Sequence, residues 1–125
     1  MSLVAITLAA ALQIGPIDWN ALPVLPLRSP PAITPAMNAF VGREAVSRHC
    51  KVQGTARRGS LTVDVAMLID GSGELRTAIP RAINCPTVEQ YAAGLAAGFA
   101  RGNMLPRVGD NPLWYKTSLT FSWQR

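Results

Sequence analysis

The sequence predicts an α+β fold, specifically a two-layer ββαβ sandwich in which an antiparallel three-stranded sheet packs on one helix. Three segments carry this prediction: an alternating run with a glycine turn at 61–73, a capped helical pattern from Thr87, and an alternating run from Leu113 to Trp123. A period of two residues indicates a strand with one buried face, and a period of 3.6 indicates a helix with one apolar stripe. A chain of 125 residues is long enough for one such domain.

Two segments precede the predicted domain. Residues 1–15 hold an apolar run that is shorter than the ~20 residues needed to cross a bilayer. The run has the length of the apolar part of a signal peptide, and three alanines at 9–11 offer a cleavage site, although no Lys or Arg precedes it. We therefore interpret it as a signal peptide or a short apolar segment. Residues 16–36 are rich in proline and predict an extended tether, which leaves 37–125 as the folded domain.

The first two strands of the domain form a hairpin. The segment before it is ambiguous: 37–46 is compatible with a short helix and 50–58 with a loop or a frayed strand start. The first strand covers 61–69, and the turn Asp70-Gly71-Ser72-Gly73 leads into a second strand from Glu74. Because Pro80 has no amide hydrogen, it belongs on an edge strand or at a bulge. The apolar face of the first strand is formed by Leu61, Val63, Val65, Met67 and Ile69.

The helix follows this hairpin. Thr87 and Gln90 have the spacing of a capping box, and Gly102 is placed to end the helix. We expect the four-residue spacing of Gly94 and Gly98 to let the helix approach the sheet closely. The apolar stripe comprises Val88, Tyr91, Ala92, Leu95, Ala96 and Phe99.

The last strand, from Leu113 to Trp123, alternates throughout, which indicates one buried and one wet face. The buried face is predicted to hold Leu113, Tyr115, Thr117, Leu119, Phe121 and Trp123. The wet face is predicted to hold Trp114, Lys116, Ser118, Thr120 and Ser122.

The charge pattern excludes some classes of function. A net charge of +5 favours contact with anionic surfaces, but the basic residues are scattered and only Arg57 and Arg58 are adjacent. No run of basic and aromatic residues indicates a nucleic-acid surface, so we interpret the charge as a solubilising balance and expect no nucleic-acid partner. The carboxylates form no paired motif, and Gly71-Ser72-Gly73 is a hairpin turn rather than a phosphate loop. We expect no cofactor and no small-molecule substrate.

The cysteines are better explained as structural than as catalytic. His49 and Cys50 are adjacent, so in an extended chain their side chains point to opposite sides. His49 is the only histidine, and Cys50 and Cys85 lack the short spacing of zinc ligands, so we predict neither catalytic nor metal-binding residues. Folding the hairpin about Ser72 brings its open end towards Cys85, which predicts a Cys50–Cys85 disulfide in an oxidising compartment. Closing a loop of about 35 residues stabilises by ~3–4 kcal/mol.

The pattern as a whole resembles the C-terminal domain of the TonB energy-transducer family. The likeness rests on the strand 61–65 (LTVDV), the turn 70–75 (DGSGEL), the helix from Thr87 to Arg101, the stretch 99–107 with its aromatic residue and proline, and the closing strand 119–123 (LTFSW). It covers about 65 residues.

This resemblance implies a small sheet packed on a helix that binds outer-membrane transporters in the Gram-negative periplasm. An extended segment of the transporter pairs with the sheet edge by β-augmentation during energy-coupled transport. It therefore implies a non-enzymatic protein of the periplasm or cell envelope, whose partner-binding edge we place at Trp114, Lys116, Ser118, Thr120 and Ser122. Lys116 is also a residue type that protects a sheet edge from aggregation. The alternative is a small exported, disulfide-stapled protein that self-associates as a homodimer and has no role in transport.

Overall fold

The fold is α+β, and the described part of the chain forms an open antiparallel sheet of four strands with two helices. The computed structural model describes residues 16–107 and 109–125, so the signal peptide predicted within 1–15 lies outside the described residues. The elements are α1 (Pro35–Ser47), β1 (Gln53–Gly54), β2 (Arg58–Ile69), β3 (Leu75–Pro80), α2 (Pro86–Ala100) and β4 (Leu113–Gln124). The antiparallel sheet and α2 are confirmed, whereas helix α1 and the short strand β1 extend the predicted three strands and one helix. Neither helix is long and apolar enough to cross a membrane, within the part of the chain that the structure describes.

Strand β2 lies at the centre of the sheet. Along one side it pairs with β4 over twelve residue pairs, from Arg58 with Gln124 to Ile69 with Leu113. Along its other side it pairs with β1 near its start and with β3 near its end. Among the strands of residues 16–107 and 109–125, β4 therefore pairs with β2 alone and forms one edge of the sheet.

Both helices contact the same face of the sheet, where the core lies. The alternation predicted for β2 is confirmed, since each residue of its apolar face is buried. Phe40 of α1 stacks near Tyr91 of α2 with ring centroids 4.4 Å apart, and Tyr91 lies 6.2 Å from Phe121 of β4. Leu113 was predicted to be buried, but at the first position of β4 it is 45% exposed.

The start of α2 differs from the prediction. The helix begins at Pro86 with Cys85 as its N-cap, so the capping box predicted at Thr87 and Gln90 is wrong. Proline suits the first helical position because its fixed φ is helical and its missing amide hydrogen would be unpaired there. The entering chain is instead held by Glu89, whose carboxylate accepts a hydrogen bond from the amide of Cys85 at 2.9 Å.

The close approach predicted at Gly94 and Gly98 is also wrong. A Cβ atom added at either glycine would meet open space, so both glycines face solvent. The small side chains that do face the sheet are Ala92 and Ala96, which are buried. The alanines, not the glycines, set the distance between α2 and the sheet.

Replacing Gly94 and Gly98 by alanine is expected to stabilise the fold by about 0.5–1 kcal/mol each, because alanine loses less backbone entropy in a helix. The free energy of unfolding in urea measures this gain. Gly102→Ala is the matched control, since Gly102 follows the helix with φ +63 and alanine is strained there. A loss of stability in Gly94→Ala or Gly98→Ala would contradict their placement on the open side of α2.

Candidate partner-binding edge

The outer edge of β4 is formed by alternate residues. The amide of Lys116 donates to the Pro23 carbonyl at 2.8 Å, and the Lys116 carbonyl accepts from the Leu25 amide at 2.9 Å. Both groups of Lys116 therefore point away from β2. Because the β2–β4 register runs without a shift, residues two apart share this direction. The outward main-chain groups belong to Trp114, Lys116, Ser118, Thr120 and Ser122, the residues predicted as the binding edge.

The N-terminal segment covers the first part of this edge. Leu25 is 4% exposed and belongs to the core, and Leu27 forms a bridge with Met104 after α2. The segment 16–36, predicted as a tether, is thus hydrogen-bonded to the domain where it passes β4, and α1 begins within it at Pro35. The chain supplies its own short, parallel addition to the sheet at Lys116.

The same segment also reaches the wet face of the sheet. The Lys116 ammonium group donates to the carbonyl of Trp19 at 3.3 Å. The Arg81 guanidinium group lies 5.6 Å from the centroid of the Trp19 ring, within the range of a cation–π interaction. Lys116 therefore holds the N-terminal segment through its side chain as well as through its backbone.

Helix α1 covers the far part of the edge. The amide of Ser122 donates to the Asn38 side-chain oxygen at 3.0 Å. Between this contact and the one at Lys116, no hydrogen bond among residues 16–107 and 109–125 engages the outward main-chain groups of Ser118 and Thr120. This stretch, Ser118 to Thr120, is here called the open edge.

Polar contacts fix the side chains of the open edge on the wet face. The Ser118 hydroxyl donates to the Asp64 carboxylate at 2.6 Å, and the hydroxyls of Thr120 and Thr62 lie 2.8 Å apart. Since these side chains are engaged with β2, the backbone is the part of the open edge that is free to bind.

The β2–β3 turn and the loop into β4 are joined by charged groups. The Asp70 carboxylate accepts hydrogen bonds from the Ser72 hydroxyl and the Glu74 amide, which outweigh desolvation and lower the pKa of Asp70 to about 2. The carboxylate also pairs with Arg76 at 2.6 Å. The Arg107 guanidinium group donates to the Asp70 carbonyl, which ties the loop before β4 to this turn.

The predicted disulfide between Cys50 and Cys85 is present, with the two Cα atoms 5.5 Å apart. It joins the chain just after α1 to the N-cap of α2. His49, with φ +55, precedes Cys50 in the chain, and the sulfur of Cys50 is already bonded to Cys85. His49 and Cys50 therefore offer no thiol nucleophile. The described ranges contain no group of three His, Cys, Asp or Glu side chains arranged to hold a metal ion.

Sequence reasoning missed two contacts that bound the open edge. The first is the docking of 23–25, for which the apolar residues between the prolines were a usable signal because a free tether needs none. The second is Asn38, whose side chain caps Ser122. No sequence pattern indicated the role of Asn38, since its partner is a main-chain amide 84 residues away.

Comparisons with protein-family models, with curated proteins and with solved structures found no match to this chain.

Proposed function

We propose that this protein is a non-enzymatic binding module that takes up an extended segment of a partner protein on the edge of β4 by β-augmentation. The observation that carries the proposal is the open edge, where the outward amides and carbonyls of Ser118 and Thr120 lie between two covered positions. Unpaired main-chain groups on an edge strand are a template for another strand.

The size of the open edge indicates how strongly it binds. Two residues offer two amides and two carbonyls, and each main-chain hydrogen bond contributes about 0.5–1.5 kcal/mol net. Such a contact alone supports weak, reversible binding. Displacement of 23–25 from Lys116 would exchange two internal hydrogen bonds for two with the partner and lengthen the paired stretch.

The form of this function that the TonB resemblance implies is energy-coupled transport in the cell envelope, with a segment of an outer-membrane transporter as the partner. Two observations support it: the LTVDV and DGSGEL segments form the β2–β3 hairpin, and the disulfide suits an oxidising, exported compartment. Self-association is the alternative, in which the edge of a second copy occupies the same position.

Substituting Thr120 by proline tests the proposal. Because the Thr120 amide points away from β2, proline removes an outward donor and keeps the β2–β4 hydrogen bonds. Twelve-residue random peptides displayed on phage are selected for binding to the unaltered protein. We expect Thr120→Pro to weaken the selected peptides at least about tenfold, because it removes a hydrogen bond and blocks the neighbouring one.

Thr120→Ala is the matched control, since it removes the side chain and keeps the amide, and it should bind the peptides like the unaltered protein. Thermal unfolding checks that both variants are folded. Peptides that bind Thr120→Pro equally well, or that leave the NMR amide signals of Ser118 and Thr120 unchanged, would refute edge binding. A dimeric mass in solution that Thr120→Pro reduces to a monomer would favour self-association over a foreign partner.

A further inference from the structure

The fold gathers four of the twelve basic residues at one end of β4. The register places Arg58 opposite Gln124, and the Arg125 amide donates to the Arg57 carbonyl at 2.7 Å. Arg43 on α1 and Arg125 line the same groove. Four exposed arginines, Arg43, Arg57, Arg58 and Arg125, therefore surround the end of the strand and are here called the arginine end.

Within the described residues, no acidic side chain forms an ion pair with the arginine end. The ion pairs formed among the described residues involve Arg48, Arg76 and Arg81 and none of these four. Neither groove at this end is lined by Asp or Glu. The interpretation of the charge as a solubilising balance is therefore incomplete, because four exposed arginines lie at one end of the strand without an ion pair among the described residues.

The arginine end is continuous with the open edge. Ser122, Trp123 and Gln124 line both grooves, so each groove begins where β4 leaves the open edge. A strand rises about 3.3 Å per residue. A peptide paired at Thr120 leaves the edge at Ser122, whose amide is held by Asn38, and on passing this contact it reaches Arg43 and Arg125 within a few residues.

We infer that the segment bound by the open edge carries an acidic flank, two or more Asp or Glu residues that lie beside Arg43 and Arg125. This inference rests on the proposed function and adds the chemistry of the partner to it. Guanidinium groups bind carboxylates through paired hydrogen bonds. Complementary charge at the rim of a binding site raises the association rate and selects among partners. The acidic flank is N-terminal to the paired residues in an antiparallel partner and C-terminal in a parallel one.

Matched synthetic peptides test the inference. One paired core, taken from a peptide selected on the unaltered protein, is extended with Glu-Asp-Glu at its N-terminus or at its C-terminus. Each acidic peptide has a twin with Gln-Asn-Gln in the same place. We expect one acidic peptide to bind about tenfold more tightly than its twin at low salt, and the advantage to shrink at high salt because exposed charges are screened.

The double variant Arg43→Gln, Arg125→Gln should abolish this advantage and leave the binding of the neutral twin unchanged. The control Arg28→Gln, Arg101→Gln removes the same charge from exposed positions outside both grooves and should keep the advantage. If acidic peptides bind no better than their twins but still shift the NMR signals of the Ser118 and Thr120 amides, the acidic flank is overturned. Edge binding then remains intact. An advantage that survives loss of Arg43 and Arg125 would also overturn the acidic flank. Binding of every peptide without a shift at Ser118 and Thr120 would refute edge binding itself.

Discussion

Replacing Trp123 by alanine is expected to lower the free energy of unfolding by about 3–5 kcal/mol. The side chain is 7% exposed and belongs to the core cluster. Its indole nitrogen donates to the Ala56 carbonyl at 3.1 Å, so it also fixes the loop before β2. Chemical unfolding monitored by circular dichroism measures the loss.

The glycine at position 42 provides the control for this prediction. A Cβ atom added at Gly42 would lie 2.7 Å from the Trp123 Cγ atom, which is closer than packed atoms allow. Gly42→Ala should therefore destabilise the unaltered protein by about 1–3 kcal/mol, although alanine favours a helix. In the Trp123→Ala background the same change should cost much less, because the overlap with the indole ring is gone and only the Cβ atom of residue 123, 3.1 Å away, remains. Equal effects in both backgrounds would contradict the direct contact between α1 and Trp123.

Removing the disulfide is expected to lower the free energy of unfolding by about 3–4 kcal/mol, since the bond closes a loop that limits the unfolded chain. The variant is Cys50→Ala, Cys85→Ala, and the two cysteines are 35 residues apart. The loss is measured by urea unfolding.

Two comparisons separate the bond from the side chains. The unaltered protein treated with reductant should match the double variant, apart from the small packing change at Cys85, which is fully buried. Addition of reductant to the double variant should change nothing. Similar stabilities of the oxidised and reduced protein would refute a stabilising bridge.

The sheet was predictable because buried and exposed residues alternate along a strand, so that apolar residues recur at every second position of the sequence. The alternation in β2 and β4 gave strand bounds within three residues and identified the buried faces. The same parity grouped Ser118 and Thr120 on the wet face. That their main-chain groups point away from β2 follows from the pairing of the two strands and not from the alternation. The Cys50–Cys85 pairing was also predictable, since the hairpin brings the two positions together.

What could not be predicted depends on contacts between segments far apart in the chain. Residues 23–25 carry no period. The apolar residues between the prolines signal that this segment docks, but only the contact with Lys116 reveals that it covers part of the edge. The capping pattern at Thr87 was misleading because Pro86 provides a better first helical residue. The arginine end was invisible because Arg43, the pair Arg57-Arg58 and Arg125 are far apart in the chain. They come together through the β2–β4 register and the packing of α1 against β4.

The pairing of β2 with β4 also governs how the chain reaches this fold. Every residue pair between the two strands closes a loop that contains β3 and α2, from Ile69 with Leu113 outwards to Arg58 with Gln124. Closing such loops costs chain entropy before the contacts between the strands can offset that cost. Pairing of β2 with β4 is therefore slow compared with forming a hairpin or a helix. Until β4 arrives, the long side of β2 remains unpaired and is open to another unfinished copy. We expect refolding yield to fall as protein concentration rises, for a reason that lies in the topology and not in the stability of the finished molecule.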